Sequence, residues 1–139
     1  MPQVNRFAMS RKLPNYQEKQ HILYIKSPSE KDLVAYGDAF LEEGKTSDAA
    51  EFYQKASYAE GLLKIKGMAL ESGDVMLLQQ VMKPLRQSVT DETWNVIGQR
   101  ATDLGKYEFA RYAFEKSGNE SMVAKVMEMI KAEVDVKHQ

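Results

Sequence analysis

Few residues in this chain could do chemistry, and their spacing is unfavourable for it. The two histidines, His21 and His138, stand near opposite ends. Neither has a carboxylate or a second histidine at a metal-ligand spacing on a clear helix. Acid pairs such as Glu42-Glu43 and Asp91-Glu92 are adjacent in sequence, so they diverge around a helix and read as solvated faces. The eight glycines are spread out rather than clustered, which leaves no phosphate-cradling loop. With no cysteine, the chain has no disulfide, thiolate metal site or cysteine nucleophile. The reading is of a non-enzymatic protein without catalytic residues, metal or cofactor, in which surface recognition is the expected work.

The elements that would position such a surface follow from composition and periodicity. The chain has 139 residues, 43% hydrophobic and 28% charged, enough for one compact domain or a short repeat array. No apolar run reaches membrane-spanning length, and the opening MPQVNRFAMSRKLP lacks the apolar core of a secretory signal. The expectation is a cytoplasmic protein. Net charge is −1, which argues against dedicated nucleic-acid binding. The charge is uneven: residues 1–26 carry +4 and the remainder −5, so a basic segment precedes an acidic body.

The glycines punctuate a repeat. Gly37, Gly67 and Gly98 are separated by 30 and 31 residues; Gly44, Gly73 and Gly105 by 29 and 32. Two interleaved series with one period mark an internal repeat. Between them apolar residues recur at helical spacing, and the second series falls where one helix should stop and the next begin. Each unit reads as helix, glycine turn, helix. Helices are expected near 28–43, 47–58, 60–72, 75–87, 91–104, 107–117 and 120–134, with an earlier one capped by Asn15. Ser27-Pro28-Ser29-Glu30, Asp74, Thr90 and Asn119 supply start signals. Pro84 should kink or shorten its helix.

The third unit, Trp94-x2-Ile97-Gly98-x2-Ala101-x3-Gly105-x-Tyr107-x2-Ala110-x3-Phe114, resembles the tetratricopeptide repeat. The first, Leu33-x2-Tyr36-Gly37-x2-Phe40-x3-Gly44-x4-Ala49-x3-Tyr53, keeps the frame with leucine for tryptophan. The second is degenerate: its turn is one residue short, and Leu78 and Met82 replace alanine and aromatic. The resemblance implies an all-α, right-handed α-α superhelix of three hairpins, about 28–58, 60–87 and 91–118. A basic arm (1–14) and an N-terminal helix (15–26) would precede the repeat domain (27–139), and a helix at 120–134 would cap it. Gly37 and Gly98 should admit close helix approach, Ala49 and Ala110 should serve the same contact, and Trp94, Phe114, Leu33 and Tyr53 should fill the core. Truncating one of those aromatics should cost about 3–5 kcal/mol.

The family fold also implies a concave groove lined by the first helices. Its positions fall on Lys31, Val34, Asp38, Leu41 and Glu42; on Lys64, Met68, Glu71 and Ser72; and on Glu92, Asn95, Gln99, Thr102 and Asp103. Chaperone-binding members hold a peptide carboxylate with basic and amide groups, whereas Val34, Asp38 and Val96 occupy those offsets here. The implied partner is therefore a protein segment, peptide or helix, of basic and apolar character, with no small-molecule substrate. Alternatives are a secretion-type chaperone and a structural subunit of a larger α-solenoid. Tyr16, Lys19, Ile22, Leu23 and Lys26 form an amphipathic segment that could cap the first hairpin or occlude the groove. Val123, Val126, Met127, Ile130 and Val134 form one stripe of the last helix, widened by Met122 and Met129. That stripe should cover the third hairpin, and any exposed remainder leaves room for a two-fold homodimer.

Overall fold

The computed structural model describes residues 13–138. They are all-helical, with no strand among the described residues. The elements are α1 (Tyr16–His21), a π-helical turn (Ile22–Lys26), α2 (Glu30–Glu42), α3 (Thr46–Lys55), α4 (Ala59–Ser72), α5 (Val75–Met82), α6 (Asp91–Asp103), α7 (Tyr107–Ser117) and α8 (Glu120–Lys137). The chain forms two compact units, one ending at Ile65 and the other starting at Lys66. The boundary falls inside α4, so the segment expected as a second hairpin contributes to both units. Residues 1–12, which make up most of the expected basic arm, lie outside the described residues.

Capping side chains explain where most helices start. Asn15 and Glu18 form a reciprocal capping box at α1, with Asn15 Oδ1 accepting from the Glu18 amide at 2.8 Å. Asp74, Thr90 and Asn119 each accept from the amide three residues on, at 3.0, 3.1 and 3.2 Å. The start of α2 differs from expectation. Ser29, not Ser27, is the cap, with its Oγ accepting from the Asp32 amide at 3.1 Å. Ser27 closes the preceding π-helical turn in the left-handed region (φ 51), so its backbone cannot take the extended conformation of an N-cap. Likewise α5 ends at Met82 rather than 87, because Pro84 has no amide to donate and crowds the preceding turn.

In the first unit, Leu33, Ala35, Ala39 and Phe40 of α2 meet Ala49, Ala50, Phe52 and Tyr53 of α3 in a buried core. Phe52 stacks on both Tyr36 and Phe40, with centroids 5.4 Å apart in each pair. Tyr53 is 1% exposed, and its ring lies against two glycines. A β-carbon at Gly37 would stand 2.5 Å from Tyr53 Cε1, and one at Gly61 would stand 2.7 Å from Cδ2. Ile22, Leu23 and the stem of Lys19 are buried as well. The Lys19 ammonium reaches Asp48 Oδ1 at 2.7 Å and Glu51 Oε1 at 2.6 Å on α3. These contacts place the amphipathic N-terminal segment against α3.

In the second unit, α6, α7 and α8 pack around Ala101, Ala110, Phe114 and Val126. Gly98 admits the Phe114 ring, since a β-carbon there would stand 2.9 Å from Cε1. Trp94 is buried and meets Tyr112 edge-on, with ring centroids 5.9 Å apart. Gly73 turns with φ 65 and lies so close to Ala101 that a β-carbon would stand 2.8 Å from its Cα. Arg100 Nε donates to the Glu71 carbonyl at 2.6 Å, and Lys106 Nζ donates to the Ser72 carbonyl. Both cations thereby satisfy carbonyls at the end of α4.

The last helix corrects the expected stripe. Met122, Val123 and Ile130 pack on the core beside buried Val126, while Met127 and Val134 remain 45% and 48% exposed. For Val134 the reason is length: at 1.5 Å rise per residue, 18-residue α8 is longer than 11-residue α7 and its last turns run past it. Met127 instead sits at the edge of the packed stripe, beside Arg111 of α7.

Candidate functional site

The first helix of each clear hairpin presents the expected recognition positions to solvent. On α2, Lys31, Val34, Asp38, Leu41 and Glu42 share one face by helical spacing; Lys31, Asp38 and Glu42 are exposed, and Val34 and Leu41 partly so. On α6, Glu92, Asn95, Gln99 and Asp103 share a face, with only Asn95 partly buried, and Thr102 lies beside them. On α4, Lys64 and Glu71 are exposed, and Met68 and Ser72 are partly buried. None of these side chains belongs to the buried core.

Several are already engaged within their own unit. The Tyr53 hydroxyl donates to Asp38 Oδ1 at 2.6 Å. Burial first, and then the bond to Asp38 and its charge, push the Tyr53 hydroxyl far above the usual tyrosine range. Asp38 therefore anchors a core ring as well as facing solvent. Asn95 Oδ1 accepts from Ser117 Oγ at 2.7 Å and from Asn119 Nδ2 at 3.2 Å, tying α6 to the α7–α8 turn. Gln99 Nε2 donates to Asp103 Oδ1 at 2.9 Å. Thr102 Oγ1 donates back to the Gly98 carbonyl at 2.8 Å. The acids left to meet an incoming group directly are Glu42, Glu71 and Glu92, all exposed. Such solvated carboxylates steer and orient a cationic partner more than they hold it.

Two open clefts are lined by other residues. One of about 520 Å³ is lined by Leu13, Pro14, Glu18, His21, Ile22, Lys26 and Tyr36. The other, about 380 Å³, lies between the start of α7 and α8, with Tyr107, Phe109, Ile130 and Glu133 in its wall. Among the described residues no three His, Asp or Glu side chains are grouped to hold a metal ion. No helix there is long and apolar enough to cross a membrane.

Sequence reasoning missed three contributors. Lys19 is the one buried charged residue of the described core, and only the packing of α1 on α3 reveals its pairing with Asp48 and Glu51. Gly61 belongs to neither glycine series, yet it admits Tyr53 as Gly37 does. Ser117 carried no signal beyond its place before Gly118. Gly67, by contrast, fits the repeat spacing but stands open, with nothing within 4 Å of where a β-carbon would be.

No protein-family model matches the chain, and neither the curated proteins nor the solved structures yield a match.

Proposed function

We propose that this chain is a non-enzymatic interaction module that binds a basic, partly apolar protein segment on the exposed face of the first helix of a tetratricopeptide-like hairpin, α2 in one unit or α6 in the other. The observation that carries the reading is the division of labour on α2 and α6. One face of each helix supplies core residues such as Leu33, Phe40, Trp94 and Ile97. The other keeps carboxylates and amides exposed beside partly covered Val34 and Leu41. Apolar contact supplies most of the affinity of such a face, and the carboxylates set orientation and association rate.

The test uses Glu42→Lys and Glu92→Lys, singly and together. Asp38 is avoided because its bond to Tyr53 would confound binding with folding. The tagged full chain and the double variant are used to capture partners from the native host, with mass spectrometry as readout. A basic segment bound by the native chain and lost by the double variant supports the reading; capture of the same set by both refutes it.

A structural-subunit reading is favoured by a separate feature. Met127, Met129, Val134 and Val136 leave the end of α8 with exposed apolar side chains. A stoichiometric companion retained through purification and released by Met127→Ser with Val134→Ser would favour that reading. Light scattering at several concentrations separates it from a homodimer formed through the same helix.

A further inference from the structure

The segment from α1 through the π-helical turn is held on α3 by side chains and joined to α2 by a short hinge. Lys19 is buried and ion-paired to Asp48 and Glu51, which lie 29 and 32 positions further along the chain. Ile22 and Leu23 of the same segment are buried as well. The Lys55 ammonium of α3 stands 5.1 Å from the centre of the Tyr24 ring. These pairs join residues distant in sequence, and a second copy of the chain offers the same partners.

The hinge consists of Ser27, Pro28 and Ser29. Ser27 has φ 51 and ψ 61, in the left-handed region, which is unfavourable for a residue with a β-carbon. Pro28 follows it, and a residue before proline favours extended backbone. Ser29 is already extended, at φ −65 and ψ 160, and its side chain caps α2. The strain in folding the segment back is therefore concentrated at Ser27. Rotating that residue into the extended region relieves the strain and redirects the segment away from its own α3. Short hinges under strain favour exchange of the element they carry between copies.

We propose that two copies of this chain exchange their N-terminal segments about Ser27, giving a domain-swapped dimer in which Lys19 of each copy pairs with the partner's Asp48 and Glu51. The contacts are those the segment makes within one chain, so no new complementary surface is needed. The gain is the strain released at two hinges. The opposing term is the freedom lost on association, so the dimer grows as concentration rises. The exchange draws on α3 and on none of the first-helix residues of the recognition faces.

Light scattering of the full chain across a concentration series tests the exchange. Left-handed backbone disfavours a residue with a β-carbon by about fivefold or more, and glycine escapes that. Ser27→Gly acts at both hinges, so it should raise the dimer dissociation constant by about 25-fold or more. Ser27→Val, branched at the β-carbon, should lower it. A charge exchange then identifies the contact. Lys19→Glu sets an acid against Asp48 and Glu51, and Asp48→Lys with Glu51→Lys sets bases against Lys19. Each variant alone should lose the dimer and unfold at lower urea than the native chain. Mixed in equal amounts they should form a heterodimer with a restored midpoint, because opposite charges then meet only between copies. Should either charge variant fail to fold, the Ser27 series decides alone. A monomer at every concentration for both the native chain and Ser27→Val overturns the proposal, as does a dimer unmoved by the hinge variants. Folded charge variants that stay apart on mixing overturn it as well. A dimer lost in Met127→Ser with Val134→Ser but kept by Ser27→Gly belongs to α8 and overturns it too.

Discussion

The Tyr53 ring between two glycines gives the sharpest test of the packing argument, through Gly37→Ala and its control Gly67→Ala. Both glycines lie inside helices, where alanine gains about 1 kcal/mol in helix propensity. At Gly67 nothing lies within 4 Å of the new β-carbon, so that gain should appear in full. At Gly37 the β-carbon would stand 2.5 Å from Tyr53 Cε1, well inside the usual carbon–carbon separation of about 3.5–4.0 Å. The ring would have to move by about 1 Å. It cannot retreat freely, because a second close approach at Gly61 bounds it and its hydroxyl is bonded to Asp38. Overpacking costs about 1–3 kcal/mol, and this clamped site belongs at the upper end. Set against the propensity gain, Gly37→Ala should lose about 2 kcal/mol, leaving the two variants about 3 kcal/mol apart. Urea unfolding followed by far-ultraviolet circular dichroism measures the gap, which should separate the midpoints by about 1 M or more. In a double-mutant cycle, Tyr53→Leu should relieve much of the cost of Gly37→Ala. A midpoint for Gly37→Ala at or above that of Gly67→Ala would refute the clamp.

Other consequences can be checked in the same assay. Lys19→Met keeps an apolar stem but leaves Asp48 and Glu51 without their cation; their partial exposure lowers the expected loss to about 1–3 kcal/mol. Gly73→Ala should cost more than Gly44→Ala: both have positive φ, worth about 1–2 kcal/mol, but only Gly73 also meets the Ala101 backbone. Stability should decline as pH rises through and above about 10, because the folded state holds protons that the unfolded chain releases. Burial, with the bond to Asp38, raises Tyr53; burial, with the charges of Asp32 and Glu18, raises Tyr36. Burial opposes the charged form of Lys19, but its bonds to Asp48 and Glu51 outweigh that and raise it. Tyr53→Phe should flatten the alkaline loss measured by urea unfolding across that range; an unchanged slope would count against the assignment.

Much of the local architecture was legible because it depends on neighbours in sequence. Asn15, Asp74, Thr90 and Asn119 cap helices through amides three residues away, a relation that spacing alone exposes. Gly44, Gly73 and Gly105 all take positive φ at helix ends, as their common period implies. Pro84 ends α5 early for a reason carried in its own ring. The candidate faces were legible to the same extent, since a helical period assigns exposure without saying what each side chain meets. That is why Asp38 and Asn95 could be placed on solvent-facing stripes while their bonds to Tyr53, Ser117 and Asn119 stayed hidden.

The sequence by itself determined the helices, their caps, the glycine turns and the uneven charge, because each follows from backbone geometry or composition within a few residues. Only the tertiary structure decided which glycine admits a ring, so that Gly61 packs on Tyr53 while periodic Gly67 stands open. It also decided that Lys19 is buried between two carboxylates and that α8 outruns α7, leaving Val134 exposed. Those outcomes depend on which side chains meet between helices distant in sequence, and a repeat period leaves that undetermined.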